Sequence, residues 1–114
     1  MRRSRWLPIA VVLTASVAGA AACSSGPARP SDAVLGKGYD VYTARCASCH
    51  GVNGEGGIGP PMKGVTGRIS VDKHTETVRK GRSGTAMPAF EDQLTDEDIQ
   101  AVVRYEREVL GATG

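Results

Sequence analysis

Cys46-Ala47-Ser48-Cys49-His50 sets two thiols three residues apart, with an imidazole directly after the second. On a helical turn, residues three apart share a face. Both sulfurs then reach the two vinyl groups on one edge of a porphyrin and form thioethers, and the adjoining imidazole can swing over the ring to meet iron. The run reads as the covalent attachment site of one c-type haem, through Cys46 and Cys49, with His50 as an iron ligand. A structural zinc site would need four ligands, and the chain has no second cysteine pair. A thioredoxin-like redox pair needs a βαβ setting, and no strand pattern surrounds this motif.

The start of the chain has a different character. Arg2, Arg3 and Arg5 precede an apolar stretch rich in small residues, Trp6 to Ala22, and Cys23 follows at once. This order reads as an export signal over residues 1–22. Ala20-Ala21-Ala22-Cys23 looks like a bacterial lipobox, with Ala20 where Leu is usual. Cysteine arithmetic agrees: of three cysteines, two serve the haem, and acylation of Cys23 accounts for the third. Residues 23–31 then read as a lipidated N-terminus and flexible linker, rich in Ser, Gly, Pro and Ala, ahead of a single domain over 32–114. An ordinary cleaved signal is one alternative. An uncleaved anchor is another, because no charge occurs from Trp6 to Ala28, long enough to span a bilayer.

Loss of residues 1–22 takes three arginines from the 14 basic residues, leaving 11 against 12 acids, so the formal balance moves from +2 to −1. The basicity belongs to the leader, and nucleic acid is not implied as a partner. Beyond the leader the aromatics are Tyr39, Tyr42, Phe90 and Tyr105. A domain this small buries a modest core, and a covalent porphyrin would fill it. The haem-free chain is expected to fold poorly.

The remaining segments read as helices and loops. Ser31 or Asp32 caps a helix to about Cys46, with Leu35, Tyr39 and Tyr42 on one face. Gly38 weakens that helix and is better explained by the close approach of a second one. From Gly51 to Gly59 five of nine residues are Gly, read as backbone wrapped closely around a flat ligand. Ser70 to Lys80 reads as a helix ended by Gly81, with a thin apolar stripe of Val71, Thr75 and Val78. Gly81 to Gln93 reads as loop. Thr95 caps a last helix with Asp98 at its third position, and Ile99, Val102, Val103, Tyr105, Val109 and Leu110 form its buried side before Gly111.

Iron has a sixth position, and Met62, His74 and Met87 compete for it. Met87 is the choice: it lies in Gly84-Thr85-Ala86-Met87-Pro88-Ala89-Phe90, where Pro88 stiffens the loop and restricts the preceding residue. Met62, after Pro60-Pro61, reads as packing on the histidine side of the ring. His74, flanked by Asp72, Lys73, Thr75 and Glu76, reads as a solvated helix residue.

With these features assembled, the chain resembles the class I cytochromes c over residues 32–114. Gly38 and Tyr42 match the Gly and aromatic of that family's N-terminal helix, and Tyr105 the aromatic of its C-terminal helix. Gly59-Pro60-Pro61-Met62-Lys63-Gly64-Val65-Thr66-Gly67-Arg68 is similar to the family's Gly-Pro-x-Leu-x-Gly-x-x-Gly-Arg segment. Met87-Pro88-Ala89-Phe90 followed by Leu94-Thr95-Asp96-Glu97-Asp98-Ile99 is similar to the short bacterial and photosynthetic members.

The resemblance implies an all-α cytochrome c fold of three to four helices around one haem. By the same match, the Pro60 carbonyl accepts from the Nδ1–H of His50, Met62 lies against the ring, and Arg68 faces a haem propionate.

The expected role is single-electron transfer by His/Met-ligated iron, not catalysis. The expected partners are redox proteins (a cytochrome complex, an oxidase or a dehydrogenase) and the membrane, through a lipid anchor. The expected site is the outer face of a bacterial cytoplasmic membrane or the periplasm, as a monomer. Two alternatives stay open: a fixed haem subunit of an oxidase or dehydrogenase complex, and a peroxidase or gas-binding protein with an open iron. Six basic residues from Lys63 to Arg82 and five acids from Glu91 to Asp98 offer faces that could steer a partner, or plain solvated surface.

Overall fold

Asp32 starts the first helix of the domain. Its Oδ1 accepts from the N–H of Val34 and Leu35 at 3.0 and 2.8 Å, and α1 runs Ala33–Arg45. The computed structural model describes residues 26–112; the expected export signal and Cys23 lie outside the described residues. The backbone breaks at Cys46 (φ −113°) and re-forms as the single turn α2, Ala47–His50. A second short turn, α3, covers Val65–Arg68. Helix α4, Val71–Lys80, is capped by Ser70, whose Oγ accepts from the Lys73 N–H at 3.2 Å. Helix α5, Asp96–Tyr105, opens with a full capping box: Asp98 N–H donates to Thr95 Oγ1 at 3.2 Å and Thr95 N–H to Asp98 Oδ2 at 3.0 Å. It continues as a π-helical turn, Glu106–Leu110, closed by Gly111 N–H on the Glu106 carbonyl at 2.8 Å.

The described residues contain helices and no strand. The expected all-α class holds, with α1, α4 and α5 as the three longer helices.

Helices α1 and α5 cross where Gly38 stands. A Cβ there would lie 2.2 Å from the Ala101 carbonyl oxygen and 2.6 Å from Tyr105 Cβ. Only the missing side chain lets the two backbones meet this closely. Around the crossing Tyr105 takes an edge-on contact with Tyr39 (centroids 5.7 Å apart) and a tilted one with Tyr42 (5.6 Å). Lys37 on α1 ties the start of α5 at 3.1 Å from Asp98.

One core runs from this crossing to the cavity. It joins Tyr42, Cys46, Met62, Val78, Phe90, Ile99, Val102, Val103, Tyr105 and Leu110. Val109 is only half-buried. In α4 the expected stripe is rotated: Val71 is exposed, while His74 and Val78, one helical turn apart, face inward. The reading of His74 as solvated is therefore corrected. Its charged neighbours Asp72, Lys73 and Glu76 stand on other faces of the helix, so they say nothing about its own exposure.

The basic and acidic runs meet in space. Arg79 pairs with Asp96 at 2.5 Å and Lys80 with Glu91 at 2.8 Å, stitching α4 to the segment that leads into α5. Arg29, ahead of α1, folds back to grip Asp40 with two hydrogen bonds of 2.8 and 2.7 Å. Gly26 lies close to Val52, where a Cβ would sit 2.9 Å from the Val52 carbonyl oxygen.

Candidate functional site

The turn α2 places both thiols and the imidazole. Cys49 and His50 donate their N–H groups to the Cys46 carbonyl at 3.1 and 2.9 Å, so the motif is one closed helical turn. Tyr42, one turn back on α1, reaches over it and donates its hydroxyl to the Gly51 carbonyl at 2.7 Å. Burial holds the Tyr42 hydroxyl far above its ordinary pKa, so it stays a proton donor. The Cys46 thiol is likewise pushed up, first by burial and then by the Glu106 carboxylate beside it.

His50 is buried and held from behind. Its Nδ1 lies 2.8 Å from the Pro60 carbonyl oxygen, which makes Nδ1 the protonated nitrogen and leaves Nε2 for a ligand. The glycine-rich loop closes around the same ring. Gly56 and Gly59 donate to the carbonyls of His50 and Cys49 at 2.8 and 2.9 Å. At Gly59 a Cβ would lie 2.4 Å from His50 Cε1 and 2.6 Å from Nδ1. The loop was read as wrapping a flat ligand; the flat group that it clasps at this point is the imidazole itself.

Met87 stands on the far loop, half-buried. That loop is sewn to the end of α4: Arg82 N–H donates to the Met87 carbonyl at 3.2 Å, and Phe90 N–H to those of Val78 and Arg79 at 3.3 and 3.2 Å. Thr85 Oγ1 adds a contact to Met87 N–H at 3.3 Å. Met62 is buried, anchored by its N–H on the Gly54 carbonyl at 2.8 Å. Arg68 is exposed and donates to the backbone carbonyls of Pro61 and Lys63, bracing the turn that carries Pro60.

Cys46, Cys49, His50, Pro60, Met62, Arg68 and Met87 all line one largely apolar cavity of about 480 Å³. That is the size and polarity of a cofactor site. Two further residues on its wall were missed from sequence. His74 and Glu106 are buried to 4% and 2% exposure, with His74 Nε2 2.9 Å from Glu106 Oε2. A signal for both existed: Glu106 falls four residues after Val102 on the buried stripe of α5, and His74 four before Val78 on α4.

Fold and site together define a small class I c-type cytochrome, as the sequence resemblance implied. A family model described as cytochrome C oxidase, cbb3-type, subunit III matches residues 33–105, and the chain belongs to that family. It is 38% identical over 76 residues to cytochrome c6 of Bryopsis maxima, covering 60% of this chain and 83% of that protein. It is also 38% identical over 81 residues to the Cbb3-type cytochrome c oxidase subunit CcoP of Azospirillum sp. (strain B510), covering 62% of this chain and 27% of that subunit. Among solved structures it is similar to cytochrome c6 from the diatom Phaeodactylum tricornutum, with a TM-score of 0.58 and 28% identity over 67% of this chain and 93% of that one. The chain carries one haem c, bound covalently through Cys46 and Cys49. It is an electron carrier rather than an enzyme, and its partners are redox proteins.

Proposed function

We propose that the protein is a membrane-tethered, single-haem electron carrier whose iron is held by His50 and Met87, working on the outer face of a bacterial cytoplasmic membrane. The observation that carries this reading is the shared cavity. Its walls hold both cysteines, an imidazole with its outer nitrogen anchored on Pro60, and a methionine on a braced loop. The haem, once bound, supplies a one-electron Fe(II)/Fe(III) couple.

The chain's own residues set the conditions. Pro60 fixes the orientation of His50 and raises its basicity. Met87, a weak thioether, is held by its loop so that little needs to move on electron transfer. Met62, Val78 and Phe90 exclude water, which with His/Met ligation favours a relatively high potential. Arg68, on the cavity wall, offers a guanidinium to a haem propionate. Residues 1–22 direct export, Cys23 takes the lipid, and the segment after it tethers the domain. Among the described residues no helix is long and apolar enough to cross a membrane.

Optical spectra of both oxidation states, with and without carbon monoxide, test the ligand set. A sulfur-to-iron charge-transfer band in the oxidised protein, and no ready carbon monoxide binding at neutral pH, are expected. Met87→Ala should lose the band and open the iron. An unchanged coordination in that variant would refute Met87 as ligand. Mass spectrometry of the mature protein should find a diacylglyceryl adduct on Cys23.

A second reading, a fixed subunit of an oxidase complex, draws on the match to the oxidase subunit family. Co-purification with a large complex in mild detergent would favour it over a diffusing carrier.

A further inference from the structure

A buried His–Glu pair in the wall of a cofactor cavity is an expensive feature. Replacing such a pair by apolar residues is often neutral or stabilising, so its presence asks for a role. Both side chains are almost wholly enclosed, at 5% and 3% exposure. They come from different helices, α4 and the π-turn that continues α5. The 2.9 Å approach of Nε2 to Oε2 is an ion-pair distance set off the line of a good hydrogen bond, and His74 Nδ1 has no partner. A pair this close and this enclosed can hold one proton more or one fewer without a change of fold.

Resting on the haem reading above, we infer that His74 and Glu106 form a proton-binding site coupled to the redox state of the cofactor. The pair shares the low-dielectric cavity with Cys46, Cys49, His50 and Met87, so a unit change of charge there acts on it strongly. In the reduced protein the pair carries imidazolium and carboxylate. When one electron passes to a redox partner, the pair releases one proton to solvent and is left as neutral imidazole and carboxylate. The net charge of the pocket is then unchanged: one positive charge gained at the cofactor, one lost at His74. Reduction reverses both transfers.

The surrounding groups leave this role to the pair. Tyr42 from α1 and Cys46 from the break after it face Glu106; burial keeps the first protonated, and the second is a thioether once haem is attached. On its own turn Arg107 donates to the Ile69 carbonyl at 3.0 Å. Lys73 of α4, Arg45, Arg68 and Arg82 line the cavity and bring cationic groups to its wall. They repel a proton in both oxidation states alike. The carboxylates of the haem itself are the remaining rival.

The test is the midpoint potential of the holoprotein from pH 5 to 9. In the wild type the potential should fall with rising pH across the window of coupling. The oxidised-to-reduced ratio at fixed applied potential should change by tenfold or more in total, about 59 mV for one electron. Glu106→Gln, isosteric and uncharged, and the apolar pair His74→Leu with Glu106→Leu should both be flat in that window. A flat wild-type profile overturns the inference, and so does an unchanged slope in the variants, which would assign the proton to the haem carboxylates. If the variants fail to fold, nitrogen NMR of the His74 imidazole in the wild type decides. Its protonation at one pH must differ between the two oxidation states, and identical protonation overturns the coupling. A purified chain without a haem spectrum would instead sink the haem reading itself.

Discussion

Gly59 is the residue on which the imidazole depends. The acceptor for Nδ1 is the backbone carbonyl of Pro60, which no side-chain substitution removes, but the room for the ring comes from the absent Cβ one residue earlier. Gly59→Ala should therefore displace His50 where Pro60→Ala does not. The expected result is a shifted Soret band and a lowered potential in the holoprotein for the first variant alone. Matching spectra for both would remove Gly59 from this role. At this scale the motif residues were legible because their chemistry is tied to spacing. His74 and Glu106 were not, because an ionisable side chain ordinarily marks a solvated position even where helical spacing places it on a buried stripe. A burying face is set by geometry, and an ionisable group on it is tolerated when a partner from another helix arrives. Nothing local in the sequence announces that partner.

The helices owe their limits to side chains that act within a few residues. Asp32, Ser70 and Thr95 each satisfy amide groups that their helix leaves open; the sequence reading makes Thr95 a cap and Asp32 one of two candidates, but sets Ser70 inside its helix. Thr95→Ala should cost about 1 kcal/mol in chemical denaturation of the holoprotein. The Asp98 carboxyl is held below its ordinary range, first by the Thr95 hydroxyl, then by the Thr95 N–H and Lys37. The stability it lends is complete above its unfolded value, about 3.9, and is lost as pH falls through the lower folded value. The Tm gap between wild type and Asp98→Asn should accordingly be widest above about pH 4 and close below it.

Gly38→Ala tests the crossing itself. Its new methyl would meet a backbone carbonyl at 2.2 Å, so α1 and α5 must part, at a cost of about 3 kcal/mol. The crossing was foreseen from one glycine in a helical pattern. The π-turn after Tyr105 was not, since an i→i+5 turn and an α-helical one differ too little over five residues to leave a mark in the pattern of hydrophobicity.

The whole molecule is organised around the cofactor cavity. The core cluster borders a cavity of about 480 Å³, far larger than the voids that a packed interior leaves. The double variant Cys46→Ala with Cys49→Ala, purified without haem, should show much reduced helical circular dichroism and no cooperative melt. A sharp transition with native helicity would contradict this. The fold class was legible from the family resemblance, with helical caps and the lack of a strand pattern agreeing with it. The charge distribution was not: the basic and acidic runs looked like separate faces, whereas Arg79–Asp96 and Lys80–Glu91 turn them toward one another.

The grip of Arg29 on Asp40 also fixes where the polypeptide departs from the globule: Gly26 leaves beside Val52, next to the loop that clasps His50. If Cys23 carries the proposed lipid, only Ser24 and Ser25 separate it from Gly26 in sequence, and three residues of chain span at most about 10 Å. Such a short stand-off would keep the Val52 side turned toward the lipid headgroups. Docking proteins would then have to approach from flanks that stay clear of the bilayer, and lengthening the leash with a Gly-Ser insert should widen the range of acceptors that the carrier can reach.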